Sequence, residues 1–405
     1  MSVRRLTCTL ASATSYVLAA ALLAGCAGEA GVSSGSASTA ASTPGGSTSG
    51  SSGSSGSGSG SSGSGGSGSS GSSAPALMGA PLSTVDVSGW VRGFAYNPNT
   101  NTMYAVIPAW GTEANPSVGQ STNSPDGSLV VIDGATGSLE TTVSVAPSAA
   151  AYAFTGSVTV DPTSNMVYIS DETDDSVIAV NGATDAIVAR IPVGTQPSGL
   201  AADPATGTVY VANSIDGTVS AIRESTNTVT ATIVDNYGGT EDDGTGLAES
   251  VAIDSASGLV YIADSHYNTV TVISEKTNQV QAVWNVGEGA QALLVDSSNS
   301  NLYVANYFDS TISVLNDTTG VSSATITVGS GPASLALDPT TATLYVSDNG
   351  GANIAVVDLQ TNSVVGESGL IEPGNSYTVG VNPTNHVVYV PLGLEELAYY
   401  QGVIN

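Results

Sequence analysis

Two histidines, His266 and His386, and two cysteines, Cys8 and Cys26, stand beside 34 carboxylates in this chain. Acid–base catalysis needs a proton carrier within hydrogen-bond reach of a second titrating group. The combination this inventory allows is His266 with Glu249 or Asp309, which would suit a lyase or a lactonase. Nothing in their spacing singles these residues out. No Gly-x-Ser-x-Gly elbow, phosphate-binding loop or dinucleotide fingerprint is present. A transition-metal centre built from several His or Cys is excluded by count. Calcium asks for something else, about six to eight oxygens from carboxylates and carbonyls. Asp171, Asp174 and Asp175 form one candidate set, and Glu241, Asp242 and Asp243 another. Neither has the alternating spacing of an EF-hand loop. Calcium is the only cofactor these residues suggest.

Acids interleaved with aromatics allow a third kind of chemistry. Trp110, Tyr237, His266, Tyr267, Tyr307 and Phe308 could stack on a sugar ring or hold a cationic peptide, with nearby carboxylates accepting hydrogen bonds. The plainer alternative is a solvated acidic rim with partly packed aromatics. His386 precedes a strand-like run inside a turn and is read as structural.

A repeat must position these groups. Seven times a tyrosine follows an Asp or Asn by seven residues: Asn97/Tyr104, Asp161/Tyr168, Asp203/Tyr210, Asp254/Tyr261, Asp296/Tyr303, Asp338/Tyr345 and Asn382/Tyr389. Successive tyrosines lie 64, 42, 51, 42, 42 and 44 residues apart. Each unit reads as four short strands punctuated by turn residues, as in 331–367. A four-stranded unit of this length is the size of a propeller blade, which buries both faces only in a ring. The spacing predicts an all-β, seven-bladed propeller over residues 81–405. The last repeat has room for three strands, and an orphan run, Leu82–Ser88, precedes the first. That run is expected to complete the last blade and close the ring. The invariant offset fixes the first hairpin of each blade, because a one-residue slip would turn every side chain to the wrong face.

This pattern sorts the loops by face. Connections between second and third strands, and between blades, should share one rim. That rim receives both long insertions: Pro108–Gly127, with Trp110, Glu113 and Asp126, and Asp235–Glu249, with Tyr237 and the second acidic set. It should also carry Asp171–Asp175, His266–Tyr267, Tyr307–Asp309 and Glu395–Glu396.

Runs such as Leu344-Tyr-Val-Ser-Asp348, Val209-Tyr-Val-Ala-Asn213 and Leu302-Tyr-Val-Ala-Asn306 resemble the signature of the YVTN-repeat (YncE-like) β-propellers. So do Ile191-Pro-Val-Gly194 and Ile326-Thr-Val-Gly329 at blade ends. The resemblance covers about residues 82–405 and implies the propeller fold. It implies surface, envelope or binding-platform roles without choosing among them. The first unit departs from it: Met103-Tyr-Ala-Val-Ile107 has no following Asn or Asp.

The N-terminus reads as an address. Arg4 and Arg5 precede an apolar stretch at Val17–Ala24 that is too short to span a membrane as a retained helix. Leu23-Ala-Gly-Cys26 then resembles a bacterial lipobox, which implies a lipoprotein signal peptide over 1–25 and lipidation of Cys26. An ordinary signal peptide with a chance cysteine is the alternative. Residues 26–80 are read as a lipidated Cys and a flexible linker. Within them Gly31–Ser73 is 43 uncharged residues, spanning roughly 36 Å root-mean-square.

After Cys26, four basic residues face 34 carboxylates, a formal charge of −30. A nucleic-acid partner is therefore not expected, because such binders need a basic stripe. The charge serves solubility or an acidic habitat. The chain is expected to be exported and held by its lipid at the bacterial cell envelope, periplasmic or on the surface. It is expected to act as a monomeric binding or scaffold protein for an extracytoplasmic glycan, peptide or protein. The enzymatic alternative places a lyase or lactonase site at the channel mouth.

Overall fold

The computed structural model describes residues 81–402 apart from 88, 111–126, 147–151, 154, 236–247, 352, 369–377 and 394–395. All of them belong to a unit spanning Ser73–Asn405. The expected leader, Cys26 and linker lie outside the described residues. So do Tyr237, Glu241, Asp242, Asp243 and the side chains of Trp110 and Glu249.

The described strands form seven four-stranded antiparallel sheets and one two-stranded ribbon. Blade 1 comprises Gly93–Asn97, Thr102–Ile107, Gly127–Asp133 and Leu139–Ala146. Blades 2 to 6 follow over 155–192, 197–234, 248–285, 290–327 and 332–368. Blade 7 takes Gly380–Asn382, Val387–Pro391 and Glu396–Gln401 from the C-terminus. Its outermost strand is Ser83–Asp86, in register Ser83↔Tyr399 to Asp86↔Glu396. The first strand of each blade packs against the first strands of both neighbours, and Gly380–Asn382 meets Gly93–Asn97. The ring is a seven-bladed β-propeller, closed by the N-terminal strand as the orphan run predicted.

The seven-residue offset has a local cause. At the end of each inner strand the Asp or Asn accepts the amide two residues on, at 2.6 Å for Asp161 and Thr163, 3.0 Å for Asp338 and Thr340, and 2.9 Å for Asn382 and Thr384. The chain then passes through one left-handed residue: Asn101, Asn165, Gly207, Gly258, Ser300, Ala342 or His386, with φ between 51° and 66°. This side-chain-capped turn followed by one left-handed residue fixes the length of the hairpin. Three residues later the tyrosine enters the second strand, always on the same face.

Each tyrosine goes into a seam. Seven apolar clusters lie between neighbouring blades, and each contains one of them. Tyr168 packs with Val177 of its own blade and with Leu200, Val209 and Val211 of blade 3. Tyr389 packs with Met103, Ala105 and Val130 of blade 1, which seals the closing seam. Burying 150–250 Å² per ring contributes about 4–6 kcal/mol of transfer free energy. The ring hydroxyl reaches the next blade where its third strand ends: Tyr261 donates to the Asp317 carbonyl at 2.7 Å, and Tyr210 to Asn278 Oδ1 at 3.0 Å.

Candidate functional site

The two rims of the ring differ. One carries the turns between first and second strands, whose side chains are spent on neighbouring blades. Asn382 Nδ2 donates to Asn101 Oδ1 at 2.9 Å, Ser297 to Asp254 at 2.7 Å, and His386 pairs with Asp338 at 2.6 Å. The other rim holds the second-to-third-strand turns and the connections between blades. Strands bracketing both long insertions end on this rim, as the repeat predicted.

Turns on the insertion-bearing rim are rigidified by their own acids and amides. Asp171 Oδ1 accepts from Thr173 and Asp174 amides at 3.2 and 3.3 Å. Asp264 Oδ1 accepts from the His266 and Tyr267 amides, both at 2.9 Å. Asn213 and Asn306 accept from the Gly194 and Gly287 amides at 3.1 Å and donate sideways to Thr218 and Ser220, and to Thr311 and Ser313. Asp216 and Asp309 fix the preceding connection by accepting from Thr195 at 2.6 Å and Glu288 at 2.7 Å. Asp309 is thus the repeat counterpart of Asp216. No hydrogen bond joins it to His266 among the described residues. Asp175 Oδ1 accepts the Gln196 amide at 2.9 Å, so Asp171 and Asp175 both face backbone donors. Among the described residues no three His, Cys, Asp or Glu groups converge on a metal-sized point.

The aromatic candidates form two edge-to-face pairs. His266 and Tyr267 lie 4.7 Å apart at 90°, and Tyr307 and Phe308 5.2 Å apart at 84°. Phe308 is 53% exposed, although one side lies against Gly289, where an added Cβ would come within 2.6 Å of the ring. Tyr307 is half-buried and accepts from Asn349 of blade 6 at 3.2 Å. Trp110 stands in the ribbon, paired with Tyr152 while Ala109 pairs with Ala153. That ribbon ties the first insertion to the connection between blades 1 and 2.

The insertion-bearing rim also holds a charged cluster that the loop reading missed. The Arg92 guanidinium sits 5.5 Å from the centre of the buried Trp90 ring, within cation–π range. It lies 4.0 Å from Glu172 Oε1, and both side chains are mostly buried. Glu172 leans over the channel-lining strand of blade 2, because an added Cβ on Gly156 would be 2.5 Å from the same oxygen. The neighbouring Asp171 lies 3.6 Å from Arg190 Nη1. Arg190 also donates from its other nitrogen to the Val145 carbonyl of blade 1. Burial pushes both carboxyls above the usual range; Arg92 pulls Glu172 back, while the Asp174 and Thr173 amides and Arg190 pull Asp171 back. Two of the four basic residues after Cys26 therefore meet two adjacent acids, Asp171 and Glu172, Arg92 beside the inner strand of blade 1 and Arg190 on the outer strand of blade 2. Scarcity was the signal: Arg92 directly precedes an inner strand in a chain with almost no other cations. The cluster can offer a guanidinium fork to an anionic or hydroxylated group and a carboxyl acceptor beside it.

No protein-family model matches the chain, and no curated protein matches it. A solved structure of a mitotic checkpoint complex contains a similar chain, with a TM-score of 0.64 and 11% identity, covering 80% of this chain and 92% of that one. At that identity the likeness establishes the seven-bladed β-propeller fold of this chain and nothing finer.

Proposed function

We propose that this chain is an exported, lipid-anchored propeller of the YVTN-repeat kind. It binds or scaffolds an extracytoplasmic glycan, peptide or protein at the bacterial cell envelope, using the insertion-bearing rim. The observation that carries this reading is the asymmetry of the ring. On the turn rim side chains are consumed in bonds between blades, whereas the opposite rim gathers the inserted segments, the ribbon, the exposed Phe308 and the Arg92–Glu172 pair. Inserted loops on a rigid scaffold are where binding resides.

The entry of the chain supports the same orientation. Ser83–Asp86 begins beside Tyr399 and runs toward Glu396, so the described chain enters the ring on the turn rim. The propeller of the checkpoint complex is a precedent for a protein partner in this fold. Catalysis is the less favoured reading, since Asp309 is engaged by the Glu288 amide in a role that Asp216 repeats without a histidine.

The test is binding of the full chain to a glycan array and a cationic-peptide array, together with fatty-acid labelling of wild type and Cys26→Ala in a bacterial host. Label on the wild type alone, with a bound class lost on Arg92→Ala, is the expected result. Equal labelling of both would remove the anchor, and turnover of a lactone without binding to either array would favour the enzyme.

A further inference from the structure

Three seams of the ring carry an acid at a position where the others do not, and two of those acids are the longer glutamate. The residue after each third strand is Gly134, Gly182, Glu224, Glu275, Asp317, Leu359 and Gly402 in blades 1 to 7. It is the position the previous blade's tyrosine reaches: an added Cβ on Gly182 would lie 2.6 Å from the Tyr104 hydroxyl, and one on Gly402 2.5 Å from that of Tyr345. Glu224 and Glu275 therefore project into the seams between blades 2 and 3 and between blades 3 and 4.

Each of these acids meets the turn carboxylate of the preceding blade. Glu224 faces Asp161 and the Tyr168 hydroxyl across the seam, with Asp203 of its own blade behind it. Glu275 faces Asp203 and the Tyr210 hydroxyl across the seam, with Asp254 behind it. Ser164 Oγ donates to Glu224 Oε2 at 2.9 Å, but Glu224 Oε1 and Glu275 Oε1 are closed off from solvent and reached by no donor among the described residues. Asp203 is already satisfied by the Thr206 hydroxyl at 2.7 Å, the Ala205 amide at 3.0 Å and the Ser255 hydroxyl. Among the described residues no Arg, Lys or His forms an ion pair with any of these acids. Two carboxylates side by side in a buried seam, with one oxygen orphaned, repel unless they share a proton.

We propose that Glu224 with Asp161 and Glu275 with Asp203 are proton-sharing pairs. They lock blade 2 to blade 3 and blade 3 to blade 4 in acidic medium and loosen when the proton leaves. The glutamates hold the protons. Burial and the facing aspartates push both up to about 7. For Asp203, burial alone would raise it, yet the hydrogen bonds from Ser255, Thr206 and Ala205 outweigh burial and hold it low. Environments that drive two neighbouring acids apart in this way assign donor and acceptor. The folded ring then keeps protons that the unfolded chain releases between a normal glutamate range and about 7, so stability falls as pH rises through that window.

The experiment is thermal unfolding of the full chain at pH 5 and pH 8, for wild type and Glu224→Gln/Glu275→Gln. The amide is an uncharged donor of the same shape. Wild type should melt higher at pH 5. The double variant should melt higher than wild type at pH 8 and show a smaller gap between the two conditions. A control that neutralises two exposed acids, Glu140→Gln/Glu396→Gln, should leave the gap in place. An unchanged gap in the double variant, or an equal shrinkage in the control, overturns the proposal. If the double variant does not fold, infrared carboxyl absorption of the wild type decides. Measured in an Asp348→Asn background, protonated carboxyl persisting to about pH 7 supports the lock, and full ionisation by pH 5 overturns it.

Discussion

His386 Nδ1 lies 2.6 Å from Asp338 Oδ2, joining the last complete blade to the blade that both chain ends build. Asp338 is fully buried, and its other oxygen is taken by the Thr340 amide at 3.0 Å and hydroxyl at 2.6 Å. His386 is also the left-handed turn residue, with φ of 60°. His386→Ala should therefore leave a buried carboxylate oxygen without its donor and impose left-handed strain, costing about 2–3 kcal/mol. His386→Asn tolerates the backbone and should cost about 1 kcal/mol less. Denaturant unfolding of the three proteins should rank them in that order; equal midpoints would show that the pair does not hold the seam.

The tyrosines offer a differential prediction. Tyr261 donates to the Asp317 carbonyl at 2.7 Å, whereas the buried Tyr104 hydroxyl has no hydrogen-bond partner among the described residues. Tyr261→Phe should lose about 1 kcal/mol and Tyr104→Phe close to nothing. Calorimetry on both variants checks it, and similar losses at both positions would contradict the seam assignment.

Asp348 supplies a pH-dependent case. Blades 3 and 5 carry Asn213 and Asn306 at this position, with amides that donate to third-strand hydroxyls. In Asp348, burial and then Glu367 push the carboxyl up to about 7. Because the folded-state value is raised, stability is lost as pH climbs from the ordinary aspartate range toward 7. Asp348→Asn should raise the melting temperature at pH 8 and leave it nearly unchanged at pH 5. A stabilisation of equal size at both values would point to something other than charge.

Ring closure has its own test. Four residue pairs connect Ser83–Asp86 to Glu396–Tyr399. Deleting residues 81–87 exposes the edge of blade 7 and should lower the melting temperature by about 10 °C or more. A melting curve that overlays the wild type would mean that the strand is dispensable.

Much of this was readable along the chain, because an Asp- or Asn-capped turn demands a particular side chain at a fixed distance from the strand it feeds. The same logic exposed the missing fourth strand of blade 7 and its replacement by Leu82–Ser88. The site was less readable. Arg92 meets Glu172 only because the ring brings blade 1 beside blade 2, and no local spacing encodes that contact. Glu224 and Glu275 look like ordinary turn acids until Tyr168 and Tyr210 of the preceding blades are placed against them. Asp309 was a candidate partner for His266, yet its geometry is that of its repeat counterpart Asp216, which has no histidine beside it.

Binding at the insertion-bearing rim is tested most directly by probing the glycan and cationic-peptide arrays with matched variants of the full chain. One set carries Arg92→Ala, Glu172→Gln or Phe308→Ala on that rim; the other carries Arg223→Ala or Lys276→Ala, at the ends of third strands on the turn rim. The account predicts a bound class that the first set weakens about tenfold and the second leaves intact. Binding that survives the first set and is lost in the second would place the ligand on the wrong side of the ring.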